Sequence, residues 1–407
     1  MRLFLLLLIF CLTLVSLSYA ELKVTPSISI REEYDDNIFL TSDDEEGDFI
    51  TSIYPLINLS YTTNFMTLSL DYGMNFRLYM HNSDLNETDL ADTQRAKLDS
   101  TLSLYREILF IKVFDEYARI PIDVRRQTTI DNPFVNMTDI NRFRINPYLE
   151  LPLSSTLKLR TGYSYENIWY RDEAGDSAQI HLITTGFLKE LSPKLSASLF
   201  YNFLIYEPKI TEEYKRQDIV LGLNYQVSQK LSLNGSIGNS WLNYQKGEDF
   251  ISPTWNINAN YQLTDRVAVG AAYSRNFFDS VDVGAFKREA VSAYVTREGN
   301  IPVTLTVFAD KDDYTIENRE DKATGVTFSA EIPITPRIKA RPILNYTYYK
   351  FLPQQEKAKR YGAGLYFDYE TRITTLSFGY IHNLGNSTIN ENEYRNNRFW
   401  IQAKFTL

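Results

Sequence analysis

The sequence predicts an all-β protein, a transmembrane antiparallel up-and-down β-barrel of about 20 strands (16–20), in residues 21–407. Three observations predict it. The last nine residues alternate. Phe399, Ile401, Ala403, Phe405 and Leu407 share one face, and Trp400, Gln402, Lys404 and Thr406 share the other. This is the period of a strand set between two different solvents. The N-terminus reads as an export signal. The composition pairs 44% hydrophobic residues with a mean hydropathy of only −0.29, as expected where alternate residues meet lipid.

Taken in order, Arg2 precedes an apolar run from Leu3 to Leu17, and Ser18-Tyr19-Ala20 supplies small residues at the cleavage-determining positions. That is a secretory signal peptide cut after Ala20. The run is short for a helix crossing about 30 Å of hydrocarbon. The one cysteine, Cys11, lies inside it, so the mature chain has no disulfide or thiolate metal site. Formal charge is −9, and −10 once Arg2 is lost, which argues against nucleic acid as a partner.

The mature chain repeats one unit: strand, short turn, strand, longer polar loop. Alternation is plain in four stretches. Leu157, Leu159, Thr161, Tyr163, Tyr165 and Trp169 form one face, as do Leu195 to Ile205 by twos, Ile219 to Val227 by twos, and Tyr361 to Tyr369 by twos. The apolar set faces lipid and the polar or small set the lumen. Phe200, Leu204 and Ile343 fall on the inner face, implying a register slip or apolar spots in the lumen. Short turns are expected near Thr62–Asn64, Tyr105-Arg106-Glu107, Pro152–Ser154, Ser192-Pro193, Ser228-Gln229, Thr264-Asp265, Glu298–Asn300, Pro333–Pro336 and Glu370-Thr371. Longer loops alternate with them, at 35–47, 82–92, 120–139, 171–176, 207–213, 246–249, 279–285, 312–321, 353–357 and 383–392. The short turns and both termini are then periplasmic and the long loops extracellular. No fixed short repeat supports a solenoid, and the alternate faces are too aromatic, with 29 Tyr and 24 Phe, for a sandwich in water.

Near the mature N-terminus stand Val24-Thr25-Pro26-Ser27-Ile28-Ser29-Ile30 and Glu33-Tyr34-Asp35-Asp36-Asn37-Ile38-Phe39. Asp48 to Pro55 and Leu68 to Tyr72 follow. This run resembles the β-barrel porin 2 family, outer-membrane barrels found with exopolysaccharide and PEP-CTERM exosortase systems. The resemblance covers about the first fifth of the chain. It implies the outer membrane and a transport-like role, not a substrate. Leu407 stands where such barrels more often end in Phe. The Tyr34–Phe39 element also reads as a girdle tyrosine followed by strand-capping Asp and Asn.

Chemistry-bearing residues are few. The acidic run Asp43-Asp44-Glu45-Glu46 lacks the spacing of a calcium loop. His81, His181 and His382 lack metal-ligand spacing, so neither a metal nor a cofactor is expected. His81 beside Ser83 and Asp84 leaves open a hydrolase device at the lumen edge, with activity lost on His81→Ala. The inner-face charges are the main candidates. Lys158, Arg160, Lys339 and Arg341 sit near the periplasmic end, and Arg142 and Arg144 share a face. Glu166 and Asp368 are the opposing acids. Such a set is either a ring that selects ions or a charge-paired filling. Inner Tyr170, Tyr206 and Tyr366 either stack on sugar rings or pack the lumen. The loop from Arg119 to Asp139, with Pro121, Arg125, Arg126 and Pro133, either folds inward as a constriction or contacts lipopolysaccharide phosphate.

These readings converge on a non-enzymatic channel of the bacterial outer membrane, a conduit linked to surface polysaccharide or exosortase-associated export. A non-conducting scaffold barrel is the alternative. The expected partners are outer-membrane lipid and lipopolysaccharide, the barrel-assembly machinery through the C-terminal strand, and polysaccharide.

Overall fold

A strand with one apolar and one polar face must satisfy lipid and water at once. A ring of such strands closed on itself leaves no unpaired backbone edge. The computed structural model describes residues 21–105, 107–129, 135–315 and 317–407 and has that architecture. The signal peptide at 1–20 with Cys11, Arg106 of one expected turn, and Pro133 of the third long loop lie outside the described residues.

Twenty antiparallel strands form the ring. They are β1 (Glu21–Asp35), β2 (Asp48–Thr62), β3 (Met66–Met74 and Phe76–Tyr79, interrupted at Asn75), β4 (Gln94–Leu104) and β5 (Leu109–Pro121). Next come β6 (Met137–Pro152), β7 (Leu157–Tyr170), β8 (Ala178–Ser192), β9 (Leu195–Pro208) and β10 (Tyr214–Gln226). The second half holds β11 (Leu231–Tyr244), β12 (Phe250–Thr264), β13 (Val267–Asp279), β14 (Ala285–Arg297) and β15 (Val303–Tyr314). It ends with β16 (Glu320–Ala330 and Ile332–Thr335, interrupted at Glu331), β17 (Ile338–Leu352), β18 (Glu356–Glu370), β19 (Thr374–Ser387) and β20 (Tyr394–Thr406). Each pairs with its sequence neighbour, and β1 pairs with β20 from Ser27↔Thr406 to Asp35↔Arg398.

The C-terminal alternation is realised. Phe399, Ile401 and Phe405 are exposed on the outside, while Trp400 is buried inside. Ile219, Leu221 and Leu223 on β10, and Leu365 and Phe367 on β18, continue the apolar outer band. No register slip occurs at the three apolar inner residues. Leu204 packs in an inner cluster with Tyr206, Tyr214 and Leu242. Ile343 packs against Tyr366, Ile381 and Trp400, and Phe200 lines a lumen cavity. The lumen has apolar spots because bulky inner residues on neighbouring strands cover one another.

Some boundaries differ from the sequence reading. The strands around the expected loops at 312–321 and 353–357 extend, leaving connections of only 315–319 and 353–355. In β19 the strand continues to Ser387, through Asn383, whose amide bonds across to Asn396 at 3.1 Å. Polar inner residues continue a lumen strand as readily as they start a loop.

The ring is fastened where its ends meet. Asn37, fully buried, donates from Nδ2 to the carbonyls of Thr41 (2.8 Å) and Arg395 (2.9 Å). Asp36 accepts from the Asn397 backbone and side-chain amides, both at 2.6 Å. Tyr34 lies outside against Phe49, with ring centroids 4.9 Å apart. The Tyr34–Asn37 element therefore combines a girdle ring with a lock on the β1–β20 seam.

Candidate functional site

The lumen wall of β6 and β7 carries a charge lattice. Inner residues alternate along each strand, so register decides which charges meet. Glu166 lies between Arg142 (Nε–Oε1 3.2 Å) and Arg144 (Nε–Oε2 2.8 Å). Arg160 Nε donates to Glu150 Oε1 at 2.8 Å, and Lys158 approaches the same carboxylate at 3.7 Å. On the β17–β18 wall Arg341 pairs with Asp368, which also accepts from Ser377 at 2.6 Å. Lys339 reaches Glu331 (3.0 Å) and Glu370 (3.2 Å) at the periplasmic rim. All eight candidates thus sit inside, and each is paired with a neighbour. Glu150, Glu331 and Glu370 are the acids that sequence reasoning missed. Glu150 shares the parity of Arg142 and Arg144, and the short turn after β6 sets it opposite Arg160.

A second wall lies across the seam, on β20, β1, β2, β3 and β4. It encloses a cavity of about 490 Å³ lined by Arg31, Arg77, Arg95, Arg398 and Lys404, with Glu33 as the one lining acid. Glu33 is shared by Arg31 and Arg398. Behind the cavity, Glu87 serves both Arg77 and Arg119. Asp139 serves Arg95 (3.5 Å), Arg119 (3.0 Å) and Arg171 (3.3 Å). None of the lining bases was a sequence candidate. The inner-face assignment of Gln402 and Lys404 held the signal, since Arg398 continues their parity.

The mouth is crossed by the loop between β5 and β6. Asp123 grips Arg125 through two parallel bonds, Nε–Oδ1 3.1 Å and Nη2–Oδ2 3.0 Å. It also meets Arg319 at 3.4 Å, from a loop ten strands away, half the circumference. Arg319, nearly inaccessible, pairs with Asp321 at 2.6 Å and lies 3.9 Å from Asp282 on a third loop. Arg360 of β18 donates to the Arg126 carbonyl at 2.7 Å, and Tyr394 to the Thr128 carbonyl at 2.5 Å. The Arg126 side chain is exposed. Burial alone would raise the Asp123 carboxyl. Hydrogen bonds from Arg125, with the charges of Arg125 and Arg319, outweigh it and hold it below the usual carboxylate range. Burial raises Asp282 above that range, against the pull of Arg319.

Other loops join this roof. Asp176 accepts backbone N–H groups of Lys209 (3.0 Å), Ile210 (2.8 Å) and Thr211 (3.1 Å), and its own N–H donates to the Val281 carbonyl at 2.6 Å. Beneath it Tyr206 stacks on Tyr214 at 4.9 Å, and Tyr244 lies 5.4 Å from Tyr214. Tyr170, Tyr206 and Tyr366 are all nearly buried, so their faces are covered by protein. His81 hydrogen-bonds Asp48 at 3.2 Å, and Asp48 also accepts the backbone N–H groups of Met80, His81 and Asn82. That arrangement ties down a loop. Among the described residues no Ser or Thr hydroxyl contacts a histidine, and no group of three or more His, Cys, Asp or Glu could hold a metal. The acidic run 43–46 is exposed.

A closed antiparallel barrel with an apolar outer band and a charged lumen is an integral protein of the bacterial outer membrane. No family model matches the chain, and no curated protein matches it. Solved structures do. A mutant of the ferric enterobactin receptor PfeA from Pseudomonas aeruginosa aligns over 95% of this chain and 80% of its own, at 9% identity and a TM-score of 0.50. OccK11 (OpdR) from Pseudomonas aeruginosa aligns over 94% and 96%, at 12% identity and a TM-score of 0.42. The first likeness is one of fold, that of an outer-membrane barrel.

Proposed function

We propose that this barrel is a loop-gated conduit for hydrophilic solutes across the outer membrane. One observation carries the reading. Beneath a mouth spanned by the Asp123–Arg319 contact, the lumen keeps two large cavities, a polar one of about 490 Å³ at the seam and one of about 840 Å³ with a mixed polar and apolar lining along β4–β10. A barrel needing only to stand in the membrane has no use for a water-accessible interior behind a polar, breakable roof. Pairs between loops can exchange for water, whereas a packed apolar plug cannot.

The finer assignment, to the β-barrel porin 2 family with an exopolysaccharide or exosortase-linked cargo, rests on the residues from Val24 to Tyr72. In that setting, the cargo passes the opened mouth. The buried tyrosines make sugar stacking a property of an open form. The roof also favours a second reading, a plugged scaffold whose loops recruit partners. Swelling of proteoliposomes in an isotonic neutral sugar separates the two. Swelling supports the conduit. Tight vesicles holding folded, correctly inserted protein would favour the scaffold.

A further inference from the structure

The two lumen walls are built from the same residue types in different proportions. The cavity along β4–β10 is lined by three bases, Lys112, Arg144 and Arg160, and two acids, Asp99 and Glu166. The seam cavity is lined by five bases and one acid, in a chain whose net charge is −9. Glu33 is divided between Arg31 and Arg398, beside Asp35 opposite Arg398; Glu87 is divided between Arg77 and Arg119, and Asp139 among Arg95, Arg119 and Arg171. Lys404 has no carboxylate within ion-pair distance among the described residues.

The excess base runs along the pore. Arg398 and Lys404 lie six residues apart on one strand, roughly 20 Å at about 3.3 Å per residue. Arg77 and Arg95 lie at the extracellular ends of β3 and β4. Ser52, Asn75 and Gln402 share the cavity and supply neutral donors between the charges. Guanidinium groups bind carboxylate and phosphate oxygens with matched geometry. A cleft lined by one sign of charge concentrates the opposite ion, by roughly tenfold or more at low salt.

We infer that the seam wall is an oxyanion-binding trough, taking small carboxylates or phosphates and passing them down the pore. The transport consequence rests on the conduit reading above, whereas the binding stands apart from it. Cations fit poorly, because Glu33 already lies among competing arginines. An acidic polysaccharide is bound by the same trough one carboxylate at a time.

The test has two arms. Citrate and inorganic phosphate are titrated calorimetrically, in low salt, into the detergent-folded barrel and into two variants. Lys404→Glu removes and reverses one charge. Ser29→Glu sets a carboxylate cross-strand from Lys404 and takes away no side-chain hydrogen bond seen among the described residues. The trough predicts saturable citrate binding, weakened at least about tenfold in both variants and lost near 1 M salt, where the Debye length shrinks to about 3 Å. No saturable binding of either anion, or binding indifferent to both variants, overturns the inference. In planar bilayers under a KCl gradient, the trough predicts a reversal potential of anion-selective sign. Selectivity for cations overturns the inference while leaving the conduit standing. A silent barrel that still binds citrate sinks only the conduit.

Discussion

The β6–β7 wall and the seam wall teach the same lesson from opposite sides. Both put arginines on the inner face of neighbouring strands. On β6–β7 a carboxylate sits opposite in register, and the charges close on each other. At the seam Arg398 faces Asp35, but Arg31 faces Ser52 and Gln402 and Lys404 faces Ser29, and the field stays turned toward the lumen. Charge type alone does not make a selectivity element. The ratio of acids to bases lining each cavity, three bases to two acids along β4–β10 and five to one at the seam, decides whether charges fill the lumen or act on its contents.

On the conduit reading neither wall passes solute while the mouth stays shut, so the largest effect on conductance should come from the roof. Arg319→Ala leaves Asp321 and Asp123 without their shared partner. Breaking such a buried pair costs about 3 kcal/mol or more. Conductance and open time should rise sharply, read in planar bilayers. Acidity should act the other way. Because Asp282 is raised in the closed mouth, protons bind that form preferentially. As pH falls from 7 toward that raised value, closure is favoured, set among Arg319, Asp123 and Arg125. Asp123 is lowered, so its contribution persists until pH falls below the ordinary carboxylate value of about 3.9. Open probability that climbs as pH falls from 7 toward the ordinary carboxylate value of about 3.9 would contradict this sign.

The comparison of walls is sharpened by Glu166→Gln. This frees Arg142 and Arg144 and should turn the paired wall into a second basic one. Reversal potentials should then move further toward anions, and an unchanged value would mean that the β6–β7 charges never face the solute path. Asn37→Ala tests the seam on which the other wall depends. Losing its buried bonds should cost about 1–3 kcal/mol, read as a lower temperature for loss of the compact band in heat-modifiability gels. The smallest effect is expected from Arg160→Ala. Arg160 is two-fifths exposed and Lys158 stays near Glu150, so stability should change by less than about 1 kcal/mol.

How much of this was legible in the sequence follows from distance along the chain. Alternation from Phe399 to Leu407 and the turn residues are local signals, and they yielded the ring, its strand number and its inner and outer faces. The eight lumen charges were readable for the same reason. Their pairing needed register, which only the short turns reveal. The contact of Asp123 with Arg319 joins residues 196 positions apart, and that of Arg126 with Arg360 joins residues 234 apart. No local pattern encodes such meetings. Arg31 and Arg398 belong to opposite ends of the chain and become neighbours only when the barrel closes. Asn37 looked like a turn residue, and its partner Arg395 lies beyond any turn.

The central claim, a polar conduit held shut by loops, is tested most directly by single-channel recording of the refolded wild type beside Arg319→Ala. The account predicts brief, infrequent steps for the wild type and long, larger ones for the variant. Silence from both, in protein shown to be folded and inserted, would contradict it.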